Sequence, residues 1–320
     1  MLAVIVLVLA CIGTAAAAPD HEAPPDTARI DRIVPITDRW LRVFVDSPAM
    51  GRVVQLDLLL PARTGSPRPT VYLLEGGDSV VPDQNDWTYQ GGAVDFFADK
   101  NVNVVLPVHA PGSYYTNWKR DDPVLGRQKW ETLLTREVPP LFDARFGGNG
   151  TNAIMGVSMG AQAALMLAER TGTLYSAVAA FSGCYATSSP AGQAELSFVI
   201  HSKGAEPDNM WGRLDDPDWA AHDVLAHAGA LRGKAVYVSS GNGLPGPHET
   251  LSNPDLGDAV LGGGPLEFAV NYCTTQLRNR LHLIGVSATF DFTATGTHSW
   301  PYWRDQLVAS WPTIARSLGT

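Results

Sequence analysis

A serine becomes a nucleophile when the chain lifts its hydroxyl clear of the backbone and a base stands beside it. Gly156-Val157-Ser158-Met159-Gly160 has the form to do the lifting. Thr151-Asn152-Ala153-Ile154-Met155 reads as a short buried strand before it, and Ala161 to Glu169 reads as a helix of small residues after it. A strand that turns sharply into a helix at a serine holds that residue in a strained conformation and exposes Oγ. The flanking glycines let neighbouring backbone approach without a Cβ clash. Such a serine attacks acyl carbonyls and passes through a covalent acyl-enzyme.

The base should be a histidine at the same sheet edge, and an acid must hold its tautomer. The eight histidines are at 21, 109, 201, 222, 227, 248, 282 and 298. Only His298, in Gly296-Thr297-His298-Ser299-Trp300, falls in a loop after the last predicted strand. In α/β-hydrolases the acid lies between serine and histidine in chain order. Glu249, Asp255, Asp258 and Glu267 all follow the strand ending near Ser239. Position favours the first three, and spacing does not choose among the four. An oxyanion hole needs two N–H donors. Met159 supplies one, and Gly77, in Glu75-Gly76-Gly77-Asp78 after the strand Thr70 to Leu74, supplies the other. No histidine, cysteine and carboxylate spacing suggests a metal site, and no cofactor is expected.

These groups need a scaffold. Strands are predicted at Arg52 to Leu60, Thr70 to Leu74, Val102 to Val108, Thr151 to Met155, Ala177 to Phe181, Ala235 to Ser239 and Val286 to Phe292. Helices are predicted at Gln128 to Phe146, interrupted or kinked by Pro139-Pro140, and at Ala161 to Glu169, Leu266 to Arg280 and Trp303 to Ser317. Residues 184–230 read as irregular and partly covering the site. Short apolar strands alternating with helices point to an α/β fold, a mostly parallel central sheet with helices on both faces. That is the pattern of the α/β-hydrolase fold, with one catalytic domain over 41–320.

The chain has 320 residues, 45% of them hydrophobic, and a formal net charge of -9. The length suffices for one large core, and the acidic balance argues against nucleic acid or an anionic membrane as a main partner. Leu2 to Ala10 is apolar but too short to span a bilayer, and small residues follow it. Residues 1–18 therefore read as a secretory signal cleaved near Ala17, with a weak n-region, and 19–40 as a flexible segment. A rival reading makes Cys11 a lipoprotein acylation site. After cleavage Cys184 and Cys273 remain, an even count that allows one disulfide in an exported protein.

The chain resembles the secreted mycolyltransferases of the antigen 85 family and their corynebacterial relatives. The resemblance rests on Tyr72-Leu73-Leu74-Glu75-Gly76, Tyr114-Tyr115-Thr116-Asn117-Trp118, Lys129-Trp130-Glu131-Thr132-Leu133-Leu134-Thr135-Arg136-Glu137 and Gly156-Val157-Ser158-Met159. It continues through Asn209-Met210-Trp211-Gly212, Gly241-Asn242-Gly243 and Gly296-Thr297-His298-Ser299-Trp300-Pro301-Tyr302-Trp303, and covers about residues 50–310. It implies a Ser-Glu-His triad of Ser158, Glu267 and His298, with Gly77 and Met159 as oxyanion donors. It also implies that Trp300 lines the pocket and that Trp87 matches a family tryptophan among the substrate-binding residues. Asp78 stands where the family has an arginine facing the sugar acceptor, which leaves the acceptor open. On the corynebacterial pattern around Ser182-Gly183-Cys184-Tyr185, a Cys184–Cys273 disulfide would tether the Glu267 helix.

The implied activity is transfer of mycolyl groups between trehalose esters or onto cell-wall arabinogalactan, by a secreted or envelope protein. The implied partners are trehalose mycolates and cell-wall glycolipids, with no integral membrane segment after cleavage; a monomer is expected. The alternatives are a secreted carboxylesterase or lipase, and a non-catalytic envelope-binding paralogue.

Overall fold

The computed structural model describes residues 27–63 and 65–320. The export signal expected over 1–18, and Cys11 within it, lie outside the described residues.

Among the described residues nine strands form one sheet in the order β1-β2-β3-β5-β4-β6-β7-β8-β9. They are β1 (Arg29–Pro35), β2 (Trp40–Ser47), β3 (Arg52–Leu59), β4 (Arg68–Leu74), β5 (Asn103–Pro107), β6 (Gly148–Val157), β7 (Tyr175–Phe181), β8 (Ala235–Ser240) and β9 (Thr289–Phe292). The pairs from β1 through β3 to β5 are antiparallel. All pairs from β5 to β9 are parallel.

The central strands are apolar on both faces because both faces are covered. Tyr72, Leu74 and Ile154 pack with Leu133, Leu134, Val138 and the helix Met159–Arg170. Their neighbours Val71, Leu73, Ala153 and Met155 pack with Trp87, Phe97, Leu307 and Ile314 on the other side. The period of two along each strand divides one apolar segment between two cores.

From β4 the chain steps outward to β5, then returns past β4 to lay down β6. That reversal leaves a crevice at the carboxyl ends of β4 and β6, where open α/β sheets bind ligands. Gly76-Gly77 leaves β4 there, and Ser158 leaves β6 there.

Three expectations are corrected. Residues 29–35 are not part of a flexible segment: β1 is an edge strand, paired with β2 in a register running from Arg29 opposite Asp46 to Pro35 opposite Leu41. Residues 184–230 are not uniformly irregular, because Pro190–Ser202 is a 13-residue helix. The Ser189 hydroxyl caps it, accepting from Gly192 N–H at 3.1 Å, and Pro190 occupies its first turn. The helix expected over Gln128 to Phe146 begins at Trp130 and widens into a π turn at Leu133–Glu137. It then resumes at Val138–Phe146, with proline in its first turn. The widened turn accommodates the two N–H groups that Pro139 and Pro140 lack.

Candidate active site

Ser158 sits between β6 and its helix with φ 53° and ψ −121°, a conformation that costs a non-glycine residue roughly 1–3 kcal/mol. Its N–H donates to Phe181 O at 2.8 Å, which pins the turn to β7. Both flanking glycines are sterically required. A Cβ on Gly156 would lie 2.2 Å from Gly160 O, and one on Gly160 would lie 2.4 Å from Glu75 O.

His298 joins the serine to an acid. Its Nε2 lies 2.9 Å from Ser158 Oγ and its Nδ1 lies 2.7 Å from Glu267 Oε2. Glu267 is in the first turn of the helix Gly264–Leu283 and is 1% exposed. Its other oxygen, Oε1, accepts from Ser182 Oγ at 2.7 Å and from Gly241 N–H at 2.7 Å. Trp303 Nε1 donates to Ser182 Oγ at 3.0 Å, so the Ser182 hydroxyl has its own proton free for Glu267. Every acceptor direction that matters on Glu267 is filled by a donor, as a buried carboxylate requires.

The other acids considered for this position do different work. Glu249 accepts from Thr297 Oγ1 at 2.7 Å, from Gly246 N–H at 2.6 Å and from the Tyr302 hydroxyl. Burial works to raise its pKa, but these donors outweigh it and hold the carboxyl below the usual range. Glu249 thus braces the loop that holds His298. Asp255 and Asp258 line the cavity in front of Ser158.

Gly77 and Met159 both line that cavity. Among the described residues no group accepts from the N–H of either. Gly76 lies beside Ser158, where a Cβ would make an ordinary van der Waals contact of 3.6 Å with Ser158 Cβ. Glu75, just before this loop, is fully buried and anchors it. It accepts from Ser79 Oγ at 2.7 Å and from Asp86 N–H at 3.0 Å, and burial pushes its pKa up to about 8.

The cavity holds about 500 Å³. Trp300, expected to line it, does so. Trp87 does not: it is fully buried beneath the site, with its indole N–H donated to Leu74 O at 2.8 Å. It stands edge-on to Trp300 at 5.1 Å between centroids and thereby supports the residue that reaches the cavity. A Cβ on Gly91 would lie 2.5 Å from the Trp87 ring, so the indole is closely enclosed. Asp78 lines the cavity, and Lys203 pairs with it. An ammonium therefore stands beside the position where the family's arginine was expected, brought by a different element. Cys184 and Cys273 are joined in a disulfide, with Cα atoms 4.9 Å apart.

Sequence reading missed the wall opposite His298. It is made by the helix Pro190–Ser202 and its cap, which set Glu195, Phe198, Val199, Ser202 and Lys203 along the cavity. The available signal was Ser189-Pro190, a cap followed by the proline that suits a first turn.

Sheet order, crevice and elbow define an α/β-hydrolase. The fold extends to distant enzymes: an S-formylglutathione hydrolase from Agrobacterium tumefaciens superposes with a TM-score of 0.65 at 14% identity. The chain matches the putative esterase family over residues 47–314. It is 32% identical over 285 residues to the diacylglycerol acyltransferase/mycolyltransferase Ag85A of Mycobacterium tuberculosis, covering 86% of this chain and 80% of that protein. Ag85B of Mycobacterium intracellulare is 30% identical, with 86% of this chain and 82% of that protein covered. The crystal structure of Mycobacterium tuberculosis MPT51 superposes with a TM-score of 0.74 at 26% identity, over 88% of this chain and 100% of that one. The chain belongs to the antigen 85 mycolyltransferase family within the putative esterases, and it is an acyl-transferring enzyme. Among the described residues no helix is long and apolar enough to cross a membrane.

Proposed function

We propose that this protein is an exported acyltransferase that moves mycolyl or similar long acyl groups between trehalose esters, or onto arabinogalactan, through an acyl-enzyme on Ser158. The observation that supports it most is the single imidazole bridging Ser158 Oγ at 2.9 Å and Glu267 at 2.7 Å.

His298 Nε2 takes the Ser158 proton as Oγ bonds to the ester carbonyl carbon. The carbonyl oxygen gathers charge, which the N–H groups of Gly77 and Met159 stabilise. The bond from carbonyl carbon to sugar oxygen then breaks, and His298 returns the proton to the departing sugar. A second sugar hydroxyl enters, gives its proton to His298 and bonds to the acyl carbon. The bond from that carbon to Ser158 Oγ then breaks, and His298 returns the proton to Oγ, which frees Ser158. Glu267 stays ionised throughout, holding Nδ1–H and stabilising the imidazolium.

Hydrolysis competes at the second step. Asp78, Asp86, Glu195, Asp255 and Asp258 line the cavity and can hold water there, which favours some diversion of the acyl-enzyme to a free acid. One assay separates the readings: purified protein, a long-chain trehalose monoester and isotopically labelled free trehalose, with products resolved by mass spectrometry. Labelled ester is the expected main product. Free acid alone would make the protein a carboxylesterase, and no reaction of Ser158 with a fluorophosphonate probe would make it a binding paralogue.

A further inference from the structure

The wall helix Pro190–Ser202 meets the loop after β4 along one stripe, Glu195, Val199 and Lys203, spaced four residues apart and so on one helix face. Two members have evident partners. Val199 packs on the oxyanion loop, its Cγ1 lying 3.1 Å from where a Gly77 Cβ would stand. Lys203 pairs with Asp78.

Glu195 is different. Among the described residues its one partner is the Tyr114 hydroxyl at 3.4 Å, beyond the usual range for an O–H donor. No described residue donates to Oε2. The nearest stripe cation, Lys203, is eight residues on, about 12 Å along the helix, and is already engaged. Burial, with no cation to oppose it, pushes the carboxyl up to about 7. By surface exposure the side chain is only partly buried, and neither of its oxygens is a buried atom without a partner, so its free oxygen is open to the cavity and not sealed in the core. Glu195 lines the same cavity as Ser158 and Met159. Tyr114 ties it to the latter, since the Tyr114 N–H donates to Met159 Sδ at 3.3 Å. A structural acid would be satisfied by the protein, whereas this one opens toward the space that the substrate fills.

We propose that Glu195 is a specificity-determining residue whose unfilled carboxyl oxygen accepts a hydrogen bond from an aliphatic hydroxyl of the substrate beside the scissile ester. The inference rests on the acyl-transfer reading of the cavity. It deepens that reading by naming the chemistry recognised: a hydroxylated ester is preferred over its plain counterpart, because the plain ester leaves the acid unpaired. The hydroxyl can belong to the alcohol half or to the acyl half of the ester.

Two matched substrate pairs distinguish the sources. The alcohol arm compares the glycerol monoester of octanoic acid with propyl octanoate. The acyl arm compares the ethyl ester of β-hydroxyoctanoic acid with ethyl octanoate. In each arm the quantity read is the ratio of kcat/KM, hydroxylated over plain, using the full chain with active sites counted by fluorophosphonate titration. Glu195→Leu is expected to lower the ratio by about tenfold or more in one arm, the loss that follows when a hydrogen-bond acceptor facing the bound substrate is removed. Glu195→Gln, whose carbonyl oxygen still accepts, is expected to keep most of it. Glu195→Met, closer in length, repeats the measurement if the leucine crowds Tyr114. A ratio unchanged within about twofold in both arms for Leu and Met overturns the assignment while the acyl-transfer reading stands. Wild-type protein that turns over no ester in either arm overturns both.

Discussion

Replacing Glu267 by glutamine keeps the shape of the acid and removes its charge. The surroundings decide which way the new amide must face. The Gly241 N–H is fixed backbone 2.7 Å from Oε1, and the Ser182 hydroxyl, which accepts from Trp303, donates to the same oxygen at 2.7 Å. Turning the amide nitrogen toward them would set donor against donor and leave a buried N–H unpaired, at about 1–3 kcal/mol. The amide oxygen therefore stays at that position and the NH2 faces His298 Nδ1, 2.7 Å from where Oε2 was. Nδ1 must then accept, so the ring proton moves to Nε2 and points at Ser158 Oγ. A base that already carries its proton cannot take another from the serine. The expected loss in kcat is about a thousandfold to ten-thousandfold, or about 4–5.5 kcal/mol of transition-state stabilisation. Ester hydrolysis under saturating substrate measures it, with a melting curve to show that the variant is folded. Folded Glu267→Gln protein with more than about a tenth of wild-type kcat would refute the tautomer argument.

Gly160→Ala places a methyl 2.4 Å from Glu75 O and 2.9 Å from Leu74 O, neither of which can yield without moving the end of β4; a lower Tm, by roughly 1–3 kcal/mol of stability, and loss of ester turnover are expected, and an alanine variant equal to wild type in both would retire the packing argument. Cys184→Ser with Cys273→Ser opens a link across 89 residues and should cost about 4–5 kcal/mol by chain entropy, read as a lower denaturation midpoint that matches reduced wild type. Glu169 is buried with Oε1 unpartnered, and burial, then Asp223, pushes its pKa from 4.5 up to about 9. The native state therefore binds the extra proton in that window, and this contribution is complete below about pH 4.5 and is lost as pH rises toward about 9. Glu169→Gln should flatten the decline in Tm between about pH 5 and pH 9, and an identical decline in the variant would show that another group causes it.

The strained turn at Ser158 was readable because its demands are local: a strand, two glycines and a helix close together in the chain impose it. His298 was readable from its place after the last strand. Glu267 was not readable from spacing, because its carboxyl comes from the first turn of a long helix, while three nearer acids fitted the usual place as well. What separates it from Glu249 is which donors converge on each, and those are set by packing across the chain. β2 alternates over Val43 to Ser47 as a strand should, whereas the alternation of β1 is broken by a register shift between Ile30 and Arg32, and β1 adjoins a leader-like composition that draws it into the flexible class. Trp87 illustrates the opposite error. Family likeness fixed the residue type, but only the packing of the indole against Leu74 and Trp300 decides whether it touches substrate or supports a residue that does.

The cystine sorts the residues of the proposed site into two topological groups. Ser158, His298, Gly77 and Met159 lie outside the ring that it closes, whereas Glu267, the helix Pro190–Ser202 and the acids at 255 and 258 lie within residues 184–273. A protease that nicked an exposed turn inside that ring would make two polypeptides that still travel as one molecule, joined through Cys184 and Cys273. Such a cut would add only one water to the mass until a reductant separated the pieces, and the chamber in front of the serine could keep its walls after its chain had lost continuity.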